Sequence, residues 1–163
     1  MKNLQDVAVF NARPIVDRFH LVGVNEVAKT NDMAIQIGNT VFILGYPLGF
    51  SHFADIPIWK KGSIASEPHL EMISSQPRVV IDATTRPGMS GSPVFMREKT
   101  HYLSENGDIK HANATRFIGI YASRPDIPAF EGLIAEIGYI YKGGVIEQTI
   151  LQEVRGPNFG ECP

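Results

Sequence analysis

The chain has 163 residues, of which 44% are hydrophobic and 20% are charged, the usual balance of a globular domain. This composition excludes a disordered, collagen-like or coiled-coil protein. The net charge of −2, without a run of basic residues, argues against nucleic acid as a partner.

Short β-type runs separated by Gly, Pro, Asn and Asp predict an all-β sandwich or barrel. Asn106-Gly107 predicts an exposed hairpin with a two-residue turn in which both residues have positive φ. Helical spacing of apolar residues after Gly143-Gly144 predicts one helix over 144–154. The predicted strands are 6–10, 15–21, 34–37, 41–46, 58–66, 78–82, 93–97, 115–122 and 136–141.

Two further features limit the class of protein. Cys162 is the only cysteine, so neither an internal disulfide nor a structural zinc site of cysteines can form. Apolar runs such as 41–44 are far shorter than the roughly 20 residues that cross a bilayer, so no membrane span is predicted. The first residues lack the apolar region of a secretory signal, which leaves the compartment open.

The segment 81–95, IDATTRPGMSGSPVF, is the most informative part of the chain. Gly88 and Gly91 let the backbone turn tightly around Ser90, which exposes its hydroxyl and directs neighbouring N–H groups to one point. This arrangement predicts a nucleophile beside an oxyanion hole. The alternative is a Gly- and Pro-rich turn without chemistry.

These residues resemble the nucleophile segment of trypsin-like serine peptidases, DAAxNPGNSGGP, and are most similar to the disulfide-poor bacterial HtrA (Deg) branch. FIGIYAS at 117–123 resembles the substrate-lining strand, and IGYIYKGGVIEQTI at 137–150 resembles the last strand and C-terminal helix. IGNTVFILGYPLGF at 37–50 and KGSIAS at 61–66 are similar to the first strands of the second barrel. The resemblance implies a trypsin-like antiparallel β-barrel, the second of a two-barrel fold, with a C-terminal helix.

The resemblance also implies a division of the chain. Residues 1–32 would hold the last strand of the first barrel and the inter-barrel connector, residues 33–155 the second barrel, and residues 156–163 a tail. A single barrel from such a fold exposes an apolar inter-barrel face, which predicts a homodimer through that face. Either the cytoplasm or the periplasm of a bacterium fits this family.

The triad of the family is incomplete in this chain. Asp6, in DVAVF, matches the strand that carries the triad aspartate, although an aspartate before a strand is often only structural. The histidine of the family precedes that aspartate by several tens of residues, so Met1 is expected to begin a fragment that is inactive alone. His52 follows the GYPLGF loop and is the nearest substitute, but it is more simply a solvated loop residue.

The function implied is a serine endopeptidase that forms an acyl-enzyme on Ser90, with a peptide or protein as substrate. The N–H groups of Gly88 and Ser90 would form the oxyanion hole. Thr84 would lie near the base of the primary specificity pocket, where no carboxylate favours Lys or Arg, so a small or medium apolar side chain is expected. The strand that pairs with substrate would be formed by Tyr121, Ala122 and Ser123.

Another function class stays open, a non-catalytic peptide- or protein-binding module on a protease-like barrel. The absent histidine favours the binding module, whereas the joint presence of Ser90, Gly88 and Asp6 favours the peptidase. Ser92 stands where the family motif has its second glycine, which puts a side chain just behind the nucleophile. Neither a cofactor nor a metal site is predicted, because no histidine spacing suits metal ligation.

Overall fold

The computed structural model describes residues 22–69, 78–122 and 136–151. The predicted strands 6–10 and 15–21, helix residues 152–154 and the predicted tail lie outside the described residues. None of the helices in the described ranges is long and apolar enough to cross a membrane.

The described chain is an all-β barrel with a helix after its last strand, as the sequence predicts. Its strands are β1 (Thr40–Gly45), β2 (Ile58–Ile64), β3 (Arg78–Asp82), β4 (Pro93–Glu98), β5 (Tyr102–Leu103), β6 (Ile109–Lys110), β7 (Ala114–Tyr121) and β8 (Ile137–Lys142). Its helices are α1 (Val24–Val27) and α2 (Gly143–Leu151), and two single 3₁₀ turns, Pro47–Gly49 and Phe53–Asp55, connect β1 to β2. The six predicted strands from 41–46 onward and the predicted helix match these elements. Every predicted end that lies in the described ranges agrees with the observed end to within two residues.

Six antiparallel strands close into a barrel in the order β1, β2, β3, β8, β7, β4, while β5 and β6 form a separate hairpin. Closure leaves no free edge in the barrel, which avoids unpaired backbone groups. Alternate residues point inward, so β1 buries Val41 and Ile43 and β3 buries Val79 and Ile81. These apolar side chains meet in one core at the barrel centre.

β7 pairs with β4 on one side and with β8 on the other, and it contains a bulge. Val94 pairs with Gly119 and Phe95 pairs with Phe117, so Ile118 is the extra residue. Gly119 has a φ of +153°, and a Cβ there would lie 1.9 Å from the carbonyl oxygen of Tyr141. The close approach of β7 to β8 therefore requires glycine at this position.

The β5–β6 hairpin is present and its loop is exposed, but its turn is not the predicted one. Gly107 N–H donates to the Ser104 carbonyl at 2.9 Å, and Ser104 N–H donates to the Asp108 carbonyl at 2.8 Å. Gly107 has a φ of +87°, whereas Asn106 does not have positive φ. The turn thus centres on Glu105 and Asn106, with Gly107 as the left-handed residue that follows. The Ser104 side-chain oxygen accepts the Asp108 N–H at 3.1 Å, which stabilises this longer loop.

The predicted strand 34–37 is wrong. This segment makes only an isolated bridge between Met33 and Ser104 and then turns. The side-chain oxygen of Asn39 accepts the Gln36 N–H at 2.6 Å, so a local hydrogen bond replaces the ladder of a strand.

Asp32 fastens the start of this segment to the β5–β6 hairpin. It accepts hydrogen bonds from Lys110 and from the hydroxyl of Tyr102. The hydrogen bond from Lys110 is the main reason that the pKa of Asp32 is below its usual value. The same bond raises the pKa of Lys110, so both charges persist over the neutral pH range.

Candidate active site

The loop 83–92, which joins β3 to β4, carries the predicted nucleophile. Met89 N–H donates to the Arg86 carbonyl at 3.2 Å, and Gly88 has a φ of +91°. Pro87 as the second residue and a left-handed glycine as the third are the signature of a type II turn. The sequence Arg-Pro-Gly-Met therefore determines this turn locally, and Ser90 follows it.

The backbone N–H groups around Ser90 divide into two sets. Those of Met89, Gly91 and Ser92 donate to carbonyl groups at 2.7–3.2 Å. Those of Gly88 and Ser90 donate to no carbonyl in the described part of the chain. These two free N–H groups flank the buried Met89 and can donate hydrogen bonds to an anionic oxygen beside the exposed Ser90.

The peptide between Pro87 and Gly88 is held in orientation by the β1–β2 loop. Leu48 N–H donates to the Pro87 carbonyl at 2.6 Å. Because a trans peptide directs its C=O and N–H to opposite sides, this bond turns the Gly88 N–H away from the β1–β2 loop. A Cβ on Gly88 would lie 2.5 Å from the Tyr46 carbonyl oxygen, so the close approach needs glycine.

Two buried side chains, those of Met89 and Ser92, attach the loop 83–92 to the barrel. Met89 is fully buried in the barrel core. Ser92 is also buried, and its Oγ would lie 2.1 Å from a Cβ at position 45. The serine at the place of the family's second glycine is thus accommodated because β1 ends in Gly45.

Replacing Gly45 with alanine is expected to destabilise the barrel, because the new methyl group would overlap Ser92 Oγ. Overpacking of this kind costs about 1–3 kcal/mol. The second change Ser92→Gly is expected to restore most of the loss, which urea denaturation of the two single variants and the double variant would measure. Additive losses in the double variant would show that the Gly45–Ser92 contact is not the cause.

The hydroxyl of Ser90 is engaged in this structure. Its Oγ donates to the carbonyl oxygen of Ala122 at 2.6 Å. Ala122 follows β7 directly, and the preceding residue, Tyr121, is bonded to the nucleophile loop at both backbone groups: Gly91 N–H donates to its carbonyl at 2.7 Å and its N–H donates to the Ser92 carbonyl at 2.8 Å. The end of β7 therefore holds the loop in place beside Ser90.

A family model for the trypsin-like peptidase domain matches residues 2–100. The chain belongs to that family. The matched residues include both Asp6 and Ser90, and the closed barrel agrees with the family's architecture. A comparison with curated proteins finds no match.

Of the remaining predicted site residues of this trypsin-like peptidase domain, Thr84, Tyr121 and Ala122 lie in the described ranges. Thr84 is half-buried in the segment after β3. Its neighbour Thr85, which sequence reasoning missed, is 1% exposed, and its Oγ1 is 2.6 Å from the Tyr121 hydroxyl. Asp6 and Ser123 lie outside the described residues. Substrate pairing along Tyr121, Ala122 and Ser123 stays a prediction.

No base contacts Ser90 within the described ranges. The histidines there, His52, His69, His101 and His111, make no hydrogen bond to its Oγ. Arg86 is the one charged residue of the loop 83–92, and its Nη1 donates to the Thr85 carbonyl at 2.9 Å. Among the described residues, no three His, Cys, Asp or Glu side chains lie close enough together to hold a metal ion.

An apolar surface adjoins the nucleophile loop. It belongs to the β1–β2 loop, which reaches Pro87 through Leu48. Leu48 is 71% exposed and Phe53 is 80% exposed, and Leu48 has a φ of +57°, unusual for a residue other than glycine. The predicted homodimer through the inter-barrel face stays a prediction. The large exposed side chains of this loop are Tyr46, Leu48, Phe50, Phe53 and Ile56.

Proposed function

We propose that this trypsin-like peptidase domain is a serine endopeptidase in which Ser90 is the nucleophile and the N–H groups of Gly88 and Ser90 form the oxyanion hole. The observation that carries the proposal is the division of the loop's N–H groups, with these two unbonded beside an exposed serine. Both residues are exposed and lie on either side of the buried Met89, so their N–H groups stay accessible to a substrate oxygen.

In the proposed reaction, Ser90 Oγ leaves the Ala122 carbonyl and attacks the carbonyl carbon of a peptide bond. The hydroxyl proton passes to a base, and the new oxyanion accepts hydrogen bonds from Gly88 and Ser90. The C–N bond then breaks, the amine leaves with the proton, and an ester remains on Ser90. Water hydrolyses the ester and regenerates the hydroxyl.

The proposal assigns the triad carboxylate to Asp6 and the base to a histidine that the family order places before Asp6. Asp6 would orient the imidazole and stabilise its cation. Without that base, the 163-residue chain is expected to acylate slowly, because the hydroxyl of a serine is a weak nucleophile at neutral pH. Placement in the HtrA branch is part of the same proposal.

A non-catalytic binding module is the second candidate. It is favoured by the hydrogen bond from Ser90 Oγ to Ala122, since the hydroxyl already has an acceptor within the barrel. It is also favoured by the lack of any contact between Ser90 and a described histidine. A module of this kind would bind peptide or protein without transferring the acyl group.

Labelling with a fluorophosphonate tests the two candidates. The probe should form a bond to Ser90 Oγ, with loss of fluoride, slowly in the 163-residue chain and faster when a segment carrying the expected histidine precedes Asp6. Fragment-ion mass spectrometry must place the adduct on Ser90 and not on Ser92, and Ser90→Ala must abolish it. No adduct in either form would overturn the peptidase and leave the binding module. An adduct that disappears in His52→Ala would identify His52 as the base.

A further inference from the structure

Two segments of the described chain meet beside Ser90. One is the segment 83–88, which leads into the nucleophile loop, and the other is the end of β7, which is bonded to that loop. A substrate carbonyl attacked by Ser90 Oγ would lie close to the Ala122 carbonyl, since these two protein atoms are only 2.6 Å apart. Under the proposed function, Thr84 of the first segment lies near the base of the primary specificity pocket, so the side chain next to that carbonyl would enter between the two segments.

Tyr121 spans the space between these segments. It is 3% exposed, and its hydroxyl lies 2.6 Å from Oγ1 of Thr85 on the opposite side. Gly138 on β8 makes room for the ring, because a Cβ at Gly138 would lie 2.5 Å from Cε2 of Tyr121. The ring is thus bonded at its tip and packed along its edge.

The position of Tyr121 is also held by its backbone. Its N–H and C=O are bonded to Ser92 and Gly91, so the residue cannot move without disturbing the nucleophile loop. A large side chain that entered between the two segments would therefore meet the ring of Tyr121, which is held at its hydroxyl and at its backbone.

We infer that Tyr121, bonded to Thr85, closes the primary specificity pocket, so that the residue supplying the attacked carbonyl must be Gly, Ala or Ser. The inference rests on the proposed function. It narrows the side-chain preference beyond what the absence of a carboxylate at Thr84 implies, and it assigns the selecting role to Tyr121. A pocket of fixed shape rejects a side chain that is too large, and even one methylene changes selectivity by roughly 10-fold to 200-fold.

The test uses two kinds of probe on the full chain. A fluorophosphonate with no amino-acid side chain first measures whether Ser90 is reactive. Peptidyl diphenyl phosphonates that carry either Ala or Phe at the reacting residue then measure selection, as the Ser90 Oγ–P bond forms and phenoxide leaves. The Ala probe is expected to react at least about 100-fold faster than the Phe probe.

Two variants separate the ring from the hydroxyl. Tyr121→Val removes the ring and is expected to raise the Phe-probe rate at least about 10-fold relative to the Ala-probe rate. Tyr121→Phe keeps the ring and serves as the matched control, so its preference for the Ala probe should persist. Circular dichroism shows whether each variant is folded, and the wild-type ratio tests the preference for a small side chain even if Tyr121→Val does not fold.

The outcomes are distinct. Equal rates for the Ala and Phe probes, with normal fluorophosphonate labelling, would overturn the closed pocket and leave the proposed peptidase intact. No fluorophosphonate labelling of Ser90, either in the 163-residue chain or when a segment carrying the expected histidine precedes Asp6, would overturn the proposed function and this inference with it. An unchanged ratio in a folded Tyr121→Val variant would assign the selection to another residue.

Discussion

Replacing Gly88 with alanine is expected to lower the rate of fluorophosphonate labelling at Ser90 by about 100-fold or more, the usual cost of losing an oxyanion-hole donor. The φ of +91° disfavours a side chain, and the new Cβ would lie 2.5 Å from the Tyr46 carbonyl oxygen. The carbonyl belongs to the backbone, so the loop must shift and the Gly88 N–H must turn with it. Mass spectrometry of the adduct over time measures the rate.

Gly107→Ala is the matched control for backbone strain. Gly107 has a similar φ of +87° but nothing within 4 Å of an added Cβ, and it lies in the β5–β6 hairpin. Its replacement should cost about 1–2 kcal/mol of stability, from the left-handed backbone alone, without slowing the labelling of Ser90. If Gly88→Ala labels as fast as the wild type, the Gly88 N–H does not contribute to the reaction.

Gly119→Ala is expected to have the largest effect on folding. A Cβ at this position would lie 1.9 Å from the Tyr141 carbonyl oxygen and 2.8 Å from the carbonyl carbon, so the β7–β8 pairing cannot form without a backbone shift. The φ of +153° adds strain for any side chain. A loss of more than about 4 kcal/mol, or failure to fold, is expected from urea denaturation and circular dichroism.

Gly144→Ala provides the opposite expectation. Gly144 lies in α2, is exposed, and has nothing within 4 Å of an added Cβ. Alanine there should stabilise the chain by about 0.5–1 kcal/mol, because it reduces the freedom of the unfolded chain. If Gly119→Ala were tolerated as well as Gly144→Ala, the close approach of β7 to β8 would be disproved.

The nucleophile loop could be predicted from sequence because its conformation is local. Proline favours the second position of a type II turn and glycine the third. The four residues 86–89 therefore suffice to predict the turn. The strands around it could be predicted for a similar reason. Each is a short apolar run bounded by turn residues, although 41–44 of β1 is apolar throughout, so only the structure shows that Val41 and Ile43 point inward.

Predictions failed where two local preferences compete. Asn106-Gly107 suits a two-residue turn, but the bonds of Ser104 to Asp108 select a longer one. The segment 34–37 is apolar enough for a strand, yet the Asn39 side chain bonds the backbone of Gln36 and turns the chain. In both cases a polar side chain offers the backbone a bond that the hydrophobic pattern does not reveal.

The sequence by itself determined the barrel class, the turn at Pro87-Gly88 and the exposure of Ser90, because each depends on neighbouring residues. Only the tertiary structure decided what surrounds Ser90. Leu48 reaches Pro87, Gly45 makes room for Ser92, and the hydroxyl of Tyr121 lies against Thr85 across an interval of 36 residues. Such contacts join segments that are far apart in the sequence. The order and register of the strands in the closed barrel bring these segments together, and no local sequence pattern indicates that they are neighbours.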